Sequence, residues 1–356
     1  MMNTSHVRVG IVGCGSVMHR YLIQGLVRVR DRVKLVAACD VLEEKRQYMR
    51  DNFGISNFTT DYHELVNSDE IDLVLVLTAG PTHAGPTKAA LEAGKHVLTE
   101  KPMATNLKEA AELVELARRS PGYLVCAPHV LLSKTYQIMW QRIQRGDIGK
   151  VLSARAMYGQ TGLHWTPWFY MKGAGSLIDL GVYNVTSLTG FIGPAKRVMA
   201  MMGIAIPEYI VRGQPLRPEA DDNTQLLIDF GESVFAVVTT GFTIQKYRCP
   251  AIELYGSKGA LQMMGDDWAP KGYELWQNEV GAWQIFKERD PGWHWADGFR
   301  HLVDCIQQNV PPLIRPEHAY HVLEIMLKAQ ESSRDGEAKL IESTFTMPEL
   351  DPALNR

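Results

Sequence analysis

The sequence predicts an α/β protein in two parts: an N-terminal doubly wound parallel sheet, then a C-terminal α/β domain with a large open, mostly antiparallel sheet. Three observations predict it. Apolar β-type runs alternate with helical runs from Val7 to Cys126, the pattern of parallel strands joined by crossover helices. From about Thr224 the chain changes to long alternating strands, 224–230, 233–243, 250–256 and 259–264, punctuated by turns such as Gly231-Glu232 and Ser257-Lys258-Gly259. At 356 residues the chain exceeds one ordinary core and suits two, expected over 1–127 and 128–356.

Composition narrows the function classes. The chain is 46% hydrophobic and 22% charged with a net charge of -3, so nothing recommends nucleic acid or an anionic membrane as partner. The five cysteines lie far apart with no C-x-x-C, which fits a reducing compartment and no metal site. There is no signal-peptide pattern and no apolar run of roughly 20 residues. A cytoplasmic protein is the expectation.

Taken in order, Val7 to Val12 is a strand running into Gly13-Cys14-Gly15-Ser16-Val17. Glycine at 13 permits a sharp turn, and glycine at 15 lets backbone approach a pyrophosphate. The helix expected over 17–29 buries Tyr21, Leu22, Gly25, Leu26 and Val29 and would offer its N-terminal N–H groups, from Ser16 and Val17, to phosphates. A full G-x-G-x-x-G needs a small residue at 18, where the chain has Met18. The alternative is a tight turn needing glycine only sterically. Val33 to Cys39 is a buried strand ending in Asp40, placed to accept from adenosine ribose hydroxyls; this favours NAD, with NADP possible through Arg46. Helix 43–52 follows. Ile71 to Leu77 is a third strand, continuing into Thr78-Ala79-Gly80-Pro81-Thr82-His83. A helix runs to Ala93, and Val97 to Thr99 is a strand halted by Glu100-Lys101-Pro102, since proline cannot donate to a ladder. Ligands of open α/β sheets sit outside the carboxyl ends of the strands, so Glu100 and Lys101 are expected to project into a crevice; a surface pair is the alternative. Asn106 caps a helix over 107–119, and Tyr123 to Cys126 is a short strand.

With these motifs in hand, the chain resembles the glucose–fructose oxidoreductase / inositol dehydrogenase / MocA family. The resemblance spans Ala89 to Leu98 followed by Glu100-Lys101-Pro102, then Gly146-Asp147-Ile148-Gly149-Lys150, then Gly173 to Tyr183. It implies a Rossmann domain holding NAD(P) and a second domain whose sheet packs against another subunit as a homodimer or homotetramer. It also implies that Glu100 and Lys101 lie beside nicotinamide and substrate, frequently with a cis Lys-Pro peptide, and that Thr78, Gly80 and His83 belong to the nicotinamide-side loop. Two departures stand out: the family's Pro-Asn after the third strand reads Ala79-Gly80, and its Asn-Arg-rich segment reads His129-Val130-Leu131-Leu132, with His129 a substrate-side candidate.

The second half begins with helix 135–145 and strand 151–160. Loop 161–174 carries His164, Trp165, Trp168 and Phe169. Aromatic faces suit sugar C–H surfaces, though a hydrophobic plug reads the same way. The resemblance places Trp168 near nicotinamide, and Trp165 is a substrate candidate. On helix 176–191, Asp179 and Tyr183 are four apart and share a face. Asp179 sits among apolar residues and needs a donor partner, for which Lys101 is the candidate. The segment 207–222 reads as a loop, with helices over 294–308 and 317–333 beyond the sheet.

The expected activity is hydride transfer between nicotinamide and the hydroxyl-bearing carbon of a sugar, polyol or related cyclic alcohol. An ordinary phenol titrates near pH 10, and a neighbouring ammonium favours the phenolate. Tyr183 is therefore the acid/base, Lys101 the orienter and electrostatic stabiliser, and Asp179 the support of Lys101; the first two roles are interchangeable on sequence. An NAD-dependent glycoside hydrolase working through transient oxidation, and a non-catalytic nucleotide sensor, are the alternatives.

Overall fold

A computed structural model describes residues 6–348; the expected domains' ends, 1–5 and 349–356, lie outside the described residues. The chain divides into two compact units, 1–129 with 294–320 and 130–293 with 321–356. The second segment of the first unit is not visible in the sequence pattern, from which 128–356 is expected as the second domain.

The first unit carries six parallel strands: β1 (Val7–Val12), β2 (Val33–Cys39), β3 (Asn57–Thr59), β4 (Leu73–Val76), β5 (His96–Thr99) and β6 (Leu124–Cys126). Their order is β3-β2-β1-β4-β5-β6, a doubly wound sheet whose direction of winding reverses between β1 and β4. Every residue of β4 and β6 is buried, as strands covered on both faces require. The helices are α1 (Ser16–Arg20), α2 (Lys45–Phe53), α3 (Tyr62–Val66), α4 (Ala84–Glu92) and α5 (Leu107–Arg119). Asn106 Oδ1 accepts from the Glu109 N–H at 2.9 Å, so the expected cap is present. The helix expected over 17–29 is present but not uniform: α1 passes into a π turn, Tyr21–Gly25, and a 3₁₀ turn, Leu26–Arg28. The strand β3 and helix α3 are too short to show a period, and sequence reading passed over them.

In the second unit, α6 (Lys134–Gln144) precedes β7 (Val151–Gly159), and a π turn, Leu177–Gly181, runs directly into α7 (Val182–Ile192). There follow β8 (Arg197–Gly203), β9 (Tyr209–Val211), β10 (Gln214–Leu216), β11 (Asn223–Asp229), β12 (Phe235–Gly241), β13 (Ile252–Gly256), β14 (Gly259–Asp266), β15 (Ala269–Gln277), β16 (Trp283–Lys287) and, near the end, β17 (Lys339–Leu340). Nine of these strands form one sheet, β16-β15-β14-β13-β7-β12-β11-β8-β17, antiparallel except where β12 lies parallel to β7. Helix α7 is almost wholly buried, and one sheet face covers it. The helices expected late in the chain are α8 (Gly298–Gln308), in the first unit, and α9 (Pro316–Asp335).

The segment 207–222 is not a plain loop. It folds as the β9–β10 hairpin, turning through Arg212 and Gly213, both at positive φ (51° and 76°). That pair of angles belongs to a hairpin turn, which Arg-Gly disguises because asparagine or aspartate more often precedes the glycine. The hairpin closes a satellite core in which Tyr209 stacks on Tyr170 at 4.3 Å, beneath the aromatic loop.

Candidate active site

The nucleotide end is built by close backbone approach. Gly13 has φ +97°, and a Cβ there would lie 2.6 Å from the Leu77 carbonyl carbon and the Thr78 nitrogen, so the turn after β1 and the end of β4 fit only with glycine. A Cβ built on Gly15 would meet nothing within 4 Å, the residue is exposed, and no side chain caps the helix it starts. Ser16 and Val17 supply first-turn N–H groups, which an α-helix leaves without intrahelical acceptors, the kind of donor that a pyrophosphate needs. Met18, at the position where the full G-x-G-x-x-G motif has a small residue, is wholly buried. Asp40 Oδ2 accepts from the Cys14 N–H at 2.7 Å and Oδ1 from the Leu42 N–H at 3.0 Å. The carboxylate thus ties the glycine turn to the end of β2 and retains acceptor capacity for a ribose diol.

Three expected contacts have other posts. Glu100 does not project into a crevice: it is 6% exposed, its Oε1 accepts from the Tyr21 hydroxyl at 2.8 Å, and its Oε2 accepts from the Lys101 N–H at 3.1 Å. A buried carboxylate needs such donors, and here they hold the backbone of Lys101. His83, expected at the cofactor, is fully buried with its ring nitrogens 2.7 Å from the Pro102 carbonyl and 3.0 Å from the Thr78 carbonyl. Burial pushes its pKa down, and the ring clips the loop after β4 to the segment after β5. His129, expected at the substrate, is 1% exposed, lies 3.0 Å through Nδ1 from the Trp295 carbonyl, and packs so tightly on Gly298 that a Cβ there would come within 2.3 Å of its ring. Lys101 itself is half-buried, and the Lys101–Pro102 peptide is cis. Thr78 is half-buried, while Gly80 is buried at the start of a 3₁₀ turn. Tyr21, read from sequence only as a core residue, is the missed member of this end; its signal is a hydroxyl on an otherwise apolar helix face.

In the second unit, Asp179 lies in the π turn and Tyr183 in the first turn of α7, both half-buried while their neighbours Leu180 and Val182 are buried. A π turn inside a helix is a frequent mark of functional sites. The start of this helical run is pinned by Asp221, whose Oδ2 accepts from the Ser176 hydroxyl (2.7 Å), the Leu177 N–H (3.0 Å) and the Thr224 hydroxyl (2.9 Å). Gly175, at φ +97°, makes room for it: a Cβ would sit 2.3 Å from Asp221 Oδ1. Sequence reading missed Asp221 because its segment looked like a loop. The Tyr183 ring meets Tyr158 edge-on at 5.9 Å, and Tyr158 lies tilted against Trp268 at 6.1 Å. Neither Tyr158 nor Trp268 is singled out in the sequence: Tyr158 sits in a strand run where an aromatic reads as packing, and Trp268 lies in the β14–β15 turn, outside every expected element. Burial pushes the Tyr158 phenol well above its ordinary range, which keeps it a neutral wall. Trp168 is half-buried in a 3₁₀ turn, and Trp165, 38% exposed, packs edge-on against Phe169 at 5.4 Å.

Comparison with known proteins identifies the family. Residues 7–126 match a family model described as an oxidoreductase family with an NAD-binding Rossmann fold, and residues 136–262 match the GFO/IDH/MocA C-terminal domain. The chain is 30% identical over 260 residues to dTDP-3,4-didehydro-2,6-dideoxy-alpha-D-glucose 3-reductase of Saccharopolyspora spinosa, covering 72% of this chain and 74% of that one. It is 28% identical over 270 residues to trans-1,2-dihydrobenzene-1,2-diol dehydrogenase of Macaca fuscata fuscata, covering 74% and 76%. Among solved structures, levoglucosan dehydrogenase in complex with NADH and levoglucosan superposes with a TM-score of 0.83 at 18% identity over 95% of this chain and all of that one, a likeness of fold. No helix of the described residues is long and apolar enough to cross a membrane. The chain belongs to the Gfo/Idh/MocA family and is an NAD(P)-dependent oxidoreductase acting on CH–OH groups.

Proposed function

We propose that this enzyme oxidises, or in reverse forms, the hydroxyl-bearing carbon of a sugar, polyol or related cyclic alcohol, with NAD as the preferred cofactor. The observation that carries this reading is the Asp179–Tyr183 pair on one helical run, with Tyr183 against an aromatic wall of Tyr158 and Trp268 suited to a sugar's C–H face. The relatives' names point the same way, to diols and sugars. NAD+ supplies the hydride acceptor. With NAD+ bound as acceptor of the hydride from the substrate carbon, Tyr183 as phenolate would take the hydroxyl proton, leaving a carbonyl. Lys101 orients the substrate oxygen and favours the phenolate; Asp179 holds Lys101. Gly13, Gly15, Ser16 and Val17 would hold the pyrophosphate and Asp40 the adenosine ribose, and Thr78, Gly80 and Trp168 would be the nicotinamide-side residues. Preference for NAD rests on Asp40, beside which a 2′-phosphate meets like charge.

The working form proposed is a homodimer or homotetramer through the open sheet face in the cytoplasm. Met199, Leu227 and Val237 are cross-strand neighbours on β8, β11 and β12, and all three are exposed. With Met201 at 77% exposure and Phe235 at 43%, they form an apolar patch of the kind a second copy covers.

The deciding experiment is a panel of sugars and polyols with NAD+ and with NADP+, read as NAD(P)H absorbance. Lys101→Ala and Tyr183→Phe are each expected to lower kcat by at least 100-fold with little change in NAD affinity. Full turnover in both variants would overturn the residue roles, and a panel with no active member would overturn the substrate class.

A further inference from the structure

The second unit contains a cleft of about 430 Å³, bordered by the end of β7, the segment 245–249 and the β14–β15 turn. That volume lies within the range of small-molecule sites. Its lining is unusual for a chain whose net charge is -3: it includes Lys246, Arg248 and Lys271 against one acid, Asp266. The Asp266 carboxylate already accepts from the Tyr247 hydroxyl. Several cations on or next to other strands of this sheet are paired, as in Lys150–Glu232, Arg155–Glu253 and Arg197–Asp229. No ion pair among the described residues engages Lys246, Arg248 or Lys271. Three uncompensated cations around one concave space repel one another, and a concave wall concentrates their field on whatever occupies it.

The same cleft has an aromatic side. Tyr158 and Trp268 line it, and Tyr158 is the ring against which Tyr183 packs. One wall thus runs from the proposed acid/base to the cationic end. We infer that the substrate is a polyhydroxylated carbon chain or ring bearing an oxyanion, a phosphate or a carboxylate, whose charge is received by Lys246, Arg248 and Lys271 while its hydroxyl-bearing carbon lies toward Tyr183. Arginine and lysine both take such groups, arginine through its planar fork. The chemistry assigned to this ligand rests on the function proposed above; its binding does not.

The test uses the full chain and matched series: glucose, galactose and myo-inositol, each beside its monophosphate, with glucuronate and galacturonate as the carboxylate arm. Binding is followed by tryptophan fluorescence and calorimetry in the presence of NAD+, and turnover by NADH absorbance. At least one anionic member is expected to bind ten times more tightly than its neutral parent. That preference is expected to shrink as salt rises from 20 to 500 mM, and inorganic phosphate is expected to compete. The K246A/R248A/K271A variant is expected to reduce the anionic-to-neutral ratio of affinities at least tenfold. Should that variant not fold, K271A alone and the salt series carry the same comparison. The phosphate and carboxylate arms tell the two anions apart. No anionic preference in any series, or a preference that the variants and salt leave intact, overturns the inference. Anion-dependent binding without NADH from any member leaves this inference standing and removes the proposed oxidation; equal turnover of neutral and anionic members does the reverse.

Discussion

The Tyr21 hydroxyl donates to Glu100 Oε1 at 2.8 Å, and both side chains are buried. The tyrosine belongs to the π turn after the glycine loop, and the acid precedes Lys101. One hydrogen bond therefore links the helix proposed to receive the nucleotide to the strand end that carries the proposed catalytic ammonium. Tyr21→Phe keeps the packing and removes the donor, leaving a buried carboxylate with one fewer partner. The expected loss is about 1.5–3 kcal/mol of stability, measurable by chemical denaturation. Because Glu100 also holds the Lys101 N–H, kcat is expected to fall several-fold as well. A variant with wild-type stability and turnover would show the bond to be dispensable.

The two glycines of the first turn make opposite predictions. Gly13→Ala places a methyl 2.6 Å from backbone atoms that no rotamer can move, at φ +97°. It should cost roughly 3 kcal/mol or more and yield little folded protein. Gly15→Ala meets nothing within 4 Å, and at φ -88° alanine is unstrained. Its stability should match the parent within about 0.5 kcal/mol, while NAD affinity falls at least tenfold because the methyl occupies the space of close phosphate approach. Wild-type NAD binding by Gly15→Ala, measured by calorimetry, would place the pyrophosphate elsewhere.

These cases show what the sequence makes legible. Gly13, Asp40 and the halt at Pro102 were readable because each obeys a local rule: a positive φ, an acid at a strand end, a missing donor. Parallel and antiparallel regions were readable from hydrophobic period. Glu100 is expected in the crevice, His83 at the cofactor and His129 at the substrate because sequence shows a polar residue at a strand end or loop without showing which way it turns. Glu100 turns inward because Tyr21, 79 positions away, offers a hydroxyl there. Likewise the return of 294–320 to the first unit depends on contacts such as His129 against Gly298, which leave no periodic trace.

Asp221 tests whether positioning of the Asp179–Tyr183 run matters. Its Oδ2 accepts from Ser176, Leu177 and Thr224, so Asp221→Ala removes the anchor at the head of that run. Loss of such a cap costs about 0.5–2 kcal/mol. The expected kinetic signature is a lowered kcat with NAD affinity unchanged, and partial recovery in Asp221→Asn, whose amide oxygen can still accept. Equal loss in both variants without a kcat effect would leave Asp221 a purely structural residue.

Asp267 gives the pH dependence a named source. It is fully buried in the β14–β15 turn, where its Oδ2 accepts from Asn184 Nδ2 (3.0 Å) and the Ser187 hydroxyl (3.2 Å), both on α7. Burial, aided by the Asp266 charge, pushes its pKa from 3.8 up to about 7 against the bonds from Asn184 and Ser187 and the Trp268 backbone. Asp267 Oδ1 and Asn184 Oδ1 are buried acceptors without a hydrogen-bond partner, a setting that suits a protonated carboxyl better than a carboxylate. Because the folded pKa lies above the unfolded one, this group's contribution is complete below about pH 4 and is lost as pH rises through about 7; in between, the unfolded chain has released a proton that the folded chain keeps. The loss is on the order of 4 kcal/mol. Asp267→Asn keeps an acceptor for Asn184 and Ser187 and cannot ionise, so its Tm should fall less between pH 5 and pH 8 than that of the parent. Parallel Tm profiles for the two proteins, measured by scanning calorimetry, would mean that Asp267 is ionised in the folded state throughout that range.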